Sequence, residues 1–168
     1  MKVSVSVGSA YYDGENWDDV VSYVVAADRL GVDTVWSAEA WGMEAVASLG
    51  YLAAKTERIR LGSGIMQISA RTPATTALTA LSLAQISGDR FSLGLGVSGP
   101  QVVEGMHGDA FTKPLSRLRE YIDIVRLGIS GERMVYDGDR YVCLLYTSDA
   151  ADDDTIVWLW GVGGSVYE

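Results

Sequence analysis

The sequence predicts an α/β protein of alternating strands and helices, and three observations predict it. Val3, Val5 and Val7 alternate with Ser4 and Ser6, the period of a strand with two unlike faces. Val20, Val21, Val24, Val25 and Ala27 instead form a stripe at helical spacing, and this change of period recurs along the chain. Helix punctuation falls where the period changes: Leu30-Gly31, Thr72-Pro73, Ser87-Gly88 and Pro114. The result reads β-α-β-α-β-α-β-α, the order of a parallel sheet with crossover helices. Two architectures fit that order, a doubly wound open sheet and a barrel.

Each element has a local cause. Asn16 is placed to cap the first helix, and Asp18 and Asp19 in its first turn favour the positive end of the helix dipole. Gly31 stops that helix, and Val32 to Trp36 is the second strand. Met43 to Ala54 is the second helix and Ile59 to Leu61 the third strand. Thr72 as cap and Pro73 at the first helical position open a helix that runs to Ser87-Gly88. Phe91 to Leu95 is a fourth strand. A longer helix follows from Pro114 to Leu127, with Leu115, Leu118, Tyr121, Ile122 and Ile124 available for packing.

Composition narrows the function classes. The chain of 168 residues carries 13 basic and 22 acidic residues, a formal charge of −9. That argues against nucleic acid or an anionic membrane as partner. No stretch is long and apolar enough to span a bilayer, and Met1 to Gly8 has no signal-like apolar run. Cys143 stands alone, so no disulfide forms within the chain, and a reducing, cytoplasmic setting is expected. One histidine and one cysteine make no credible metal ligand set.

Four phrases carry a resemblance. They are AADRLGVDTVWSAEAWG (Ala26–Gly42), AAKTERIRLGSGIMQISARTPATTA (Ala53–Ala77), LSLAQISGDRFSLGLGVSGPQVVEGMHG (Leu81–Gly108) and FTKPLSRLREYIDIVR (Phe111–Arg126). In this order they resemble the luciferase-like monooxygenase superfamily of flavin- and F420-dependent oxidoreductases. The resemblance covers nearly all of residues 1–142 and selects the barrel over the open sheet. It implies the N-terminal half of a (β/α)8 TIM barrel, about four βα units, since a complete barrel needs ~250 residues. It also implies coenzyme F420, with FMN as the alternative, and hydride transfer to or from a small organic substrate. The other readings are an FMN-dependent monooxygenase and a non-catalytic flavin-binding relative. The intact parent is expected to be a homodimer, as luciferase-like barrels commonly pair.

In such barrels the residues just after each strand face the active site. After strand two, Glu39 is the candidate catalytic proton carrier, if burial raises its pKa, and Trp41 a candidate wall of the pocket. The alternative is that Glu39 caps the next helix and Trp41 merely packs. Several F420-dependent relatives carry an Asp-His pair here; Ala38 and Glu39 stand in its place, which argues against a sugar-phosphate dehydrogenase. After strand three, Gly64 and Ile65 are candidate cofactor contacts, because the family often has a bulge with a non-proline cis peptide here. After strand four, Gly94-Leu95-Gly96-Val97-Ser98-Gly99 matches the dinucleotide fingerprint, with Glu120 as its acidic partner. That fingerprint belongs in the first βα turn of its domain, whereas three units precede it here. Ser98 and Gly99 are instead expected to contact the flavin-type cofactor. Ser9, Ala10, Tyr11 and Tyr12 after strand one are candidate rim residues; His107 suits acid–base work near neutral pH, but as a single loop histidine between two glycines it is expected to be structural.

The register changes at Cys143. Cys143–Asp153 reads Cys-Leu-Leu-Tyr-Thr-Ser-Asp-Ala-Ala-Asp-Asp, which resembles the conceptual translation of a transposase sequencing adapter. Residues 143–168 are therefore expected to be an artefact with no native domain. Asp149, Asp152, Asp153, Asp154 and Glu168 lie in this stretch, where no Lys or Arg stands. Four strands cannot close an eight-stranded barrel, so the chain alone is expected to be inactive.

Overall fold

A computed structural model of the chain describes residues 2–7, 16–39 and 41–144. The expectations for Ser9, Ala10, Tyr11 and Tyr12, and for the tail beyond Leu144, lie outside these residues. The four units are β1 (Ser4–Ser6) with α1 (Trp17–Arg29), β2 (Thr34–Ser37) with α2 (Ala45–Lys55), β3 (Arg60–Ser63) and β4 (Met66–Gln67) with α3 (Pro73–Ser87), and β5 (Phe91–Ser92) and β6 (Leu95–Gly96) with α4 (Pro100–Val103) and α5 (Pro114–Ser130). A hairpin of β7 (Val135–Asp137) and β8 (Val142–Leu144) follows.

The sheet decides between the two architectures. Its strands lie in the order β1-β2-β3-β5, all parallel and sequential. Val5, Val35, Leu61 and Phe91 share one register line and pack into the cluster that contains Val24, Leu49, Leu52 and Leu83 of the helices. Ser6, Trp36, Gly62 and Ser92 alternate onto the opposite face. The crossover helices therefore cover one face of the sheet. A doubly wound sheet has helices on both faces and a reversal of strand order; a barrel wall has neither.

The helix caps follow the sequence. Asn16 Oδ1 accepts the Asp18 N–H at 3.3 Å, and Thr72 Oγ1 accepts the Thr75 N–H at 3.2 Å. Gly88 closes α3 at φ +65, a conformation glycine adopts without a Cβ clash. The second helix begins at Ala45 because the Glu44 carboxylate caps it, accepting the N–H groups of Val46 and Ala47.

Strand four differs from its expected single run. The Ser63 hydroxyl accepts the Gly94 N–H at 2.9 Å and donates to the Gly94 carbonyl at 3.0 Å. A side chain thus takes the place of the ladder, and the strand splits into β5 beside β3 and β6 beside β4. The terminal hairpin pairs Tyr136 with Cys143 and Val135 with Leu144, so its ladder runs two residues past Val142. Glu120 holds the hairpin turn, accepting the N–H groups of Arg140 at 2.9 Å and Tyr141 at 3.2 Å. No helix among the described residues is long and apolar enough to cross a membrane.

Two side chains fasten the end where the strands begin. Arg90 places all five of its N–H donors: Nε on Ser87 O, Nη1 on Thr56 Oγ1 and Ile59 O, and Nη2 on Ala53 O and Thr56 O, at 2.6–3.0 Å. Asp28, buried at the end of α1, accepts the N–H groups of Glu57, Arg58 and Ile59 at 2.9, 3.0 and 2.7 Å. Burial alone would raise its pKa, but the three N–H donors outweigh it and hold the carboxyl below its ordinary 3.8. The stability this depression contributes is present above that ordinary value and lost as pH falls through the lower folded value. Asp28→Ala is expected to lower stability by about 3 kcal/mol, read from urea midpoints at neutral pH. The gap between the parent chain and Asp28→Asn should narrow as the same titration is repeated from about pH 6 down to about pH 2.

Candidate active site

The strand ends converge on one rim. The Gly64 N–H donates to Ser37 O at 2.8 Å, the Glu39 N–H to Ile65 O at 3.0 Å, and the Met66 and Ile68 N–H groups to Gly94 O and Gly96 O at 2.8 and 3.1 Å. Glu39, Gly64 and Ile65 are therefore brought together, with the start of the Ser98–Gly99 loop beside them. The Gly64–Ile65 peptide is cis, in the bulge between β3 and β4 where the resemblance implies one.

This stretch of backbone is kept free of side chains for a reason visible in the packing. The Trp36 ring occupies the space a Cβ on Gly62 would need, 2.4 Å away, and lies 3.4 Å from a Cβ built on Gly64. A Cβ on Gly94 would stand 2.1 Å from Ser63 O, and one on Gly96 would stand 2.9 Å from Ile65 Cδ1. Gly94 and Gly96, the core of the fingerprint-like run, thus serve the junction between neighbouring strands. Glu120, the acid a dinucleotide site would require, is occupied by the hairpin turn. Gly64 itself is exposed and Ile65 half-buried. Within this glycine strip only the Gly64 backbone is open, beside the flat Trp36 indole, and bare backbone there can meet the face of a planar ring, so Gly64 and Ile65 fit a flavin or deazaflavin.

Beyond β6, Ser98 sits at φ 57, a left-handed conformation that non-glycine residues adopt rarely and often near functional sites. Gly99 precedes α4 and accepts the N–H groups of Val102 and Val103 at 3.0 and 2.9 Å. A cleft beside this loop is lined by Ile68, Ser69, Val97, Phe111, Thr112 and Arg117. Trp41 is 47% exposed, so it is not packed into the core. His107 is exposed in the loop after α4.

Glu39 is buried and fully engaged. Its Oε1 accepts the Ala45 N–H at 3.3 Å and its Oε2 the Gln67 N–H at 3.0 Å. Arg71 Nη1 lies 2.8 Å from Oε1 and 2.9 Å from Oε2, and Arg71 Nη2 lies 3.4 Å from the Glu44 carboxylate. The sequence expectation named Glu39 but not its partner. The signal was present: Arg71 is the only charged residue between Arg60 and Asp89, and a lone charge in so neutral a run calls for a counter-charge.

Arg71 is held in turn. The Tyr121 hydroxyl, with its ring fully buried, donates toward the carbonyls of Arg71 at 3.0 Å and Thr72 at 3.2 Å and pairs with the Thr76 hydroxyl. Burial pushes the Tyr121 pKa up to about 12, which keeps the phenol a neutral donor. Tyr141 meets the Tyr121 ring edge-on at 5.9 Å and accepts from Arg117 Nε at 2.9 Å.

Three substitutions should separate these contributions in denaturant titrations. Arg71→Ala, which leaves the Glu39 carboxylate buried without its cation, should cost about 3 kcal/mol. Tyr121→Phe should cost about 1 kcal/mol. Gly94→Ala should cost about 2 kcal/mol, since its methyl group would overlap the Ser63 carbonyl.

Comparison with known proteins agrees with this geometry. The family model described as luciferase-like monooxygenase matches residues 1–163. A Mycobacterium tuberculosis protein, provisionally named a coenzyme F420-dependent oxidoreductase, is 50% identical over 126 residues, covering 75% of this chain and 36% of the relative. A 5,10-methylenetetrahydromethanopterin reductase of Archaeoglobus fulgidus is 36% identical over 120 residues, covering 71% of this chain and 36% of the relative. Among solved structures, the oxygenating constituent of 3,6-diketocamphane monooxygenase from Pseudomonas putida, in complex with FMN, superposes with a TM-score of 0.76. Its identity is 19%, and the match covers 85% of this chain and 44% of that one. The chain thus spans little more than a third of these curated relatives and under half of that structure. The sheet matches part of the (β/α)8 barrel that the family shares, and the chain belongs to the luciferase-like monooxygenase family.

Proposed function

We propose that the complete protein is a coenzyme F420-dependent oxidoreductase that passes hydride between the deazaflavin ring and a small organic substrate. The observation that carries this reading is the 50% identity, over 126 residues, to the provisionally named F420-dependent oxidoreductase. When bound, the coenzyme would accept or donate the hydride. Gly64 and Ile65 would support one face of its ring, and Ser98 and Gly99 would contact it from the neighbouring loop. Trp41, exposed at the rim, would wall the side from which substrate arrives. Glu39 would complete the rim beneath it.

A second reading, an FMN-dependent monooxygenase of the same family, is favoured by the superposition on the FMN-bound structure. On either reading the barrel contains further βα units that complete the cofactor site, and the enzyme works as a cytoplasmic homodimer. Residues 1–142 would be native barrel and residues 143–168 foreign sequence. An uninterrupted genomic reading frame through Asp154 would refute that assignment.

Titration of the full-length enzyme with F420 and, separately, with FMN tests the function. Saturable quenching of F420 fluorescence, with hydride transfer from reduced F420 to an organic acceptor and no oxygen uptake, is the expected result. Tight FMN binding with oxygen consumption would replace the first reading with the second.

A further inference from the structure

A carboxylate that exchanges protons with a substrate needs an oxygen free to reach it. Glu39 has neither oxygen free. The Ala45 and Gln67 N–H groups and the Arg71 guanidinium take them up, and its side chain is 4% exposed. The same residue's backbone N–H donates to Ile65 O at 3.0 Å. One residue therefore grips the bulge at two points, Ile65 through its main chain and Gln67 through its side chain. Between these points and β3 stands Gly64, the exposed part of the glycine strip.

The other ends of the grip are fixed as well. Ala45 is the first residue of α2, so the carboxylate is tied to a helix start. The Arg71 guanidinium lies between Glu39 and Glu44, and its own carbonyl is held by Tyr121 of α5. Two helices and the approach to a third thus converge on the segment that presents Gly64 and Ile65.

We propose that Glu39 is a positioning residue for the cofactor platform: oriented by Arg71, it clamps Ile65 and Gln67 and so sets where the Gly64–Ile65 backbone meets the ring of the bound coenzyme. The proposal rests on the F420 reading. It assigns proton exchange to some group other than Glu39. Misplacing a supporting surface weakens binding and orientation first, because a bound ring tolerates little displacement of the atoms it rests on.

Two measurements test it on the full-length enzyme, each on Glu39→Gln and Glu39→Ala. The first is amide hydrogen exchange of residues 64–71 without cofactor. Exchange should quicken by about tenfold or more in Glu39→Ala and less in Glu39→Gln, whose amide oxygen can still accept one N–H. Unchanged exchange in both variants overturns the clamp. The second is F420 affinity together with the pH profile of turnover. Glu39→Gln should raise the F420 Kd about tenfold while both limbs of the pH profile stay in place. Loss of one limb with Kd unchanged overturns the proposal and makes Glu39 the proton carrier. Failure of the unaltered enzyme to bind F420 refutes the functional reading instead, and the exchange result then decides the clamp alone. If Glu39→Ala does not fold, Glu39→Gln decides both measurements.

Discussion

One guanidinium anchors the end of the sheet from which everything else is built. Helices α2 and α3 both finish there, and the carbonyls of a helix's last turn have no partners within the helix. Arg90 meets carbonyls from both ends and from the start of β3 with a planar five-donor fork, a task that the compact ammonium of lysine could not perform. Its positive charge also suits the negative ends of the helix dipoles. With Asp28 fastening α1 to the same loop, the first three crossovers share one rigid floor.

A rigid floor leaves the opposite rim free to depart from regular structure. The sheet gives up its ladder at Ser63 and Gly94, admits the bulge at Gly64–Ile65, and holds Ser98 in a left-handed conformation. The bulge is framed by side-chain hydrogen bonds of Glu39, Arg71 and Tyr121, which belong to three different segments. The division agrees with the general pattern of such barrels, in which one end serves stability and the other chemistry.

The sequence is legible where local chemistry decides the outcome. Asn16, Thr72-Pro73 and Gly88 mark helix boundaries through contacts made within a few residues, and the structure uses them accordingly. The alternation around Val5 and the stripe at Val20 to Ala27 gave the elements their types, and the glycine-rich strand ends located the rim. What could not be read was long-range pairing. Asp28 meets Glu57–Ile59 some thirty residues away, and Arg90 reaches back to Ala53. The split of strand four follows from a single hydroxyl on a neighbouring strand, which no periodicity can announce. Glu39 could be named as a rim residue, but its engagement depends on Arg71, a residue whose isolation in a neutral run was the only local sign.

The Glu39–Arg71 pair has a consequence for how this chain can change. Losing either member strands a buried charge, so a chain that alters one residue first must pass through a weakened intermediate. Descendants should keep both residues or exchange both for an uncharged contact of similar volume. The two positions, 32 residues apart, are therefore expected to change together or not at all.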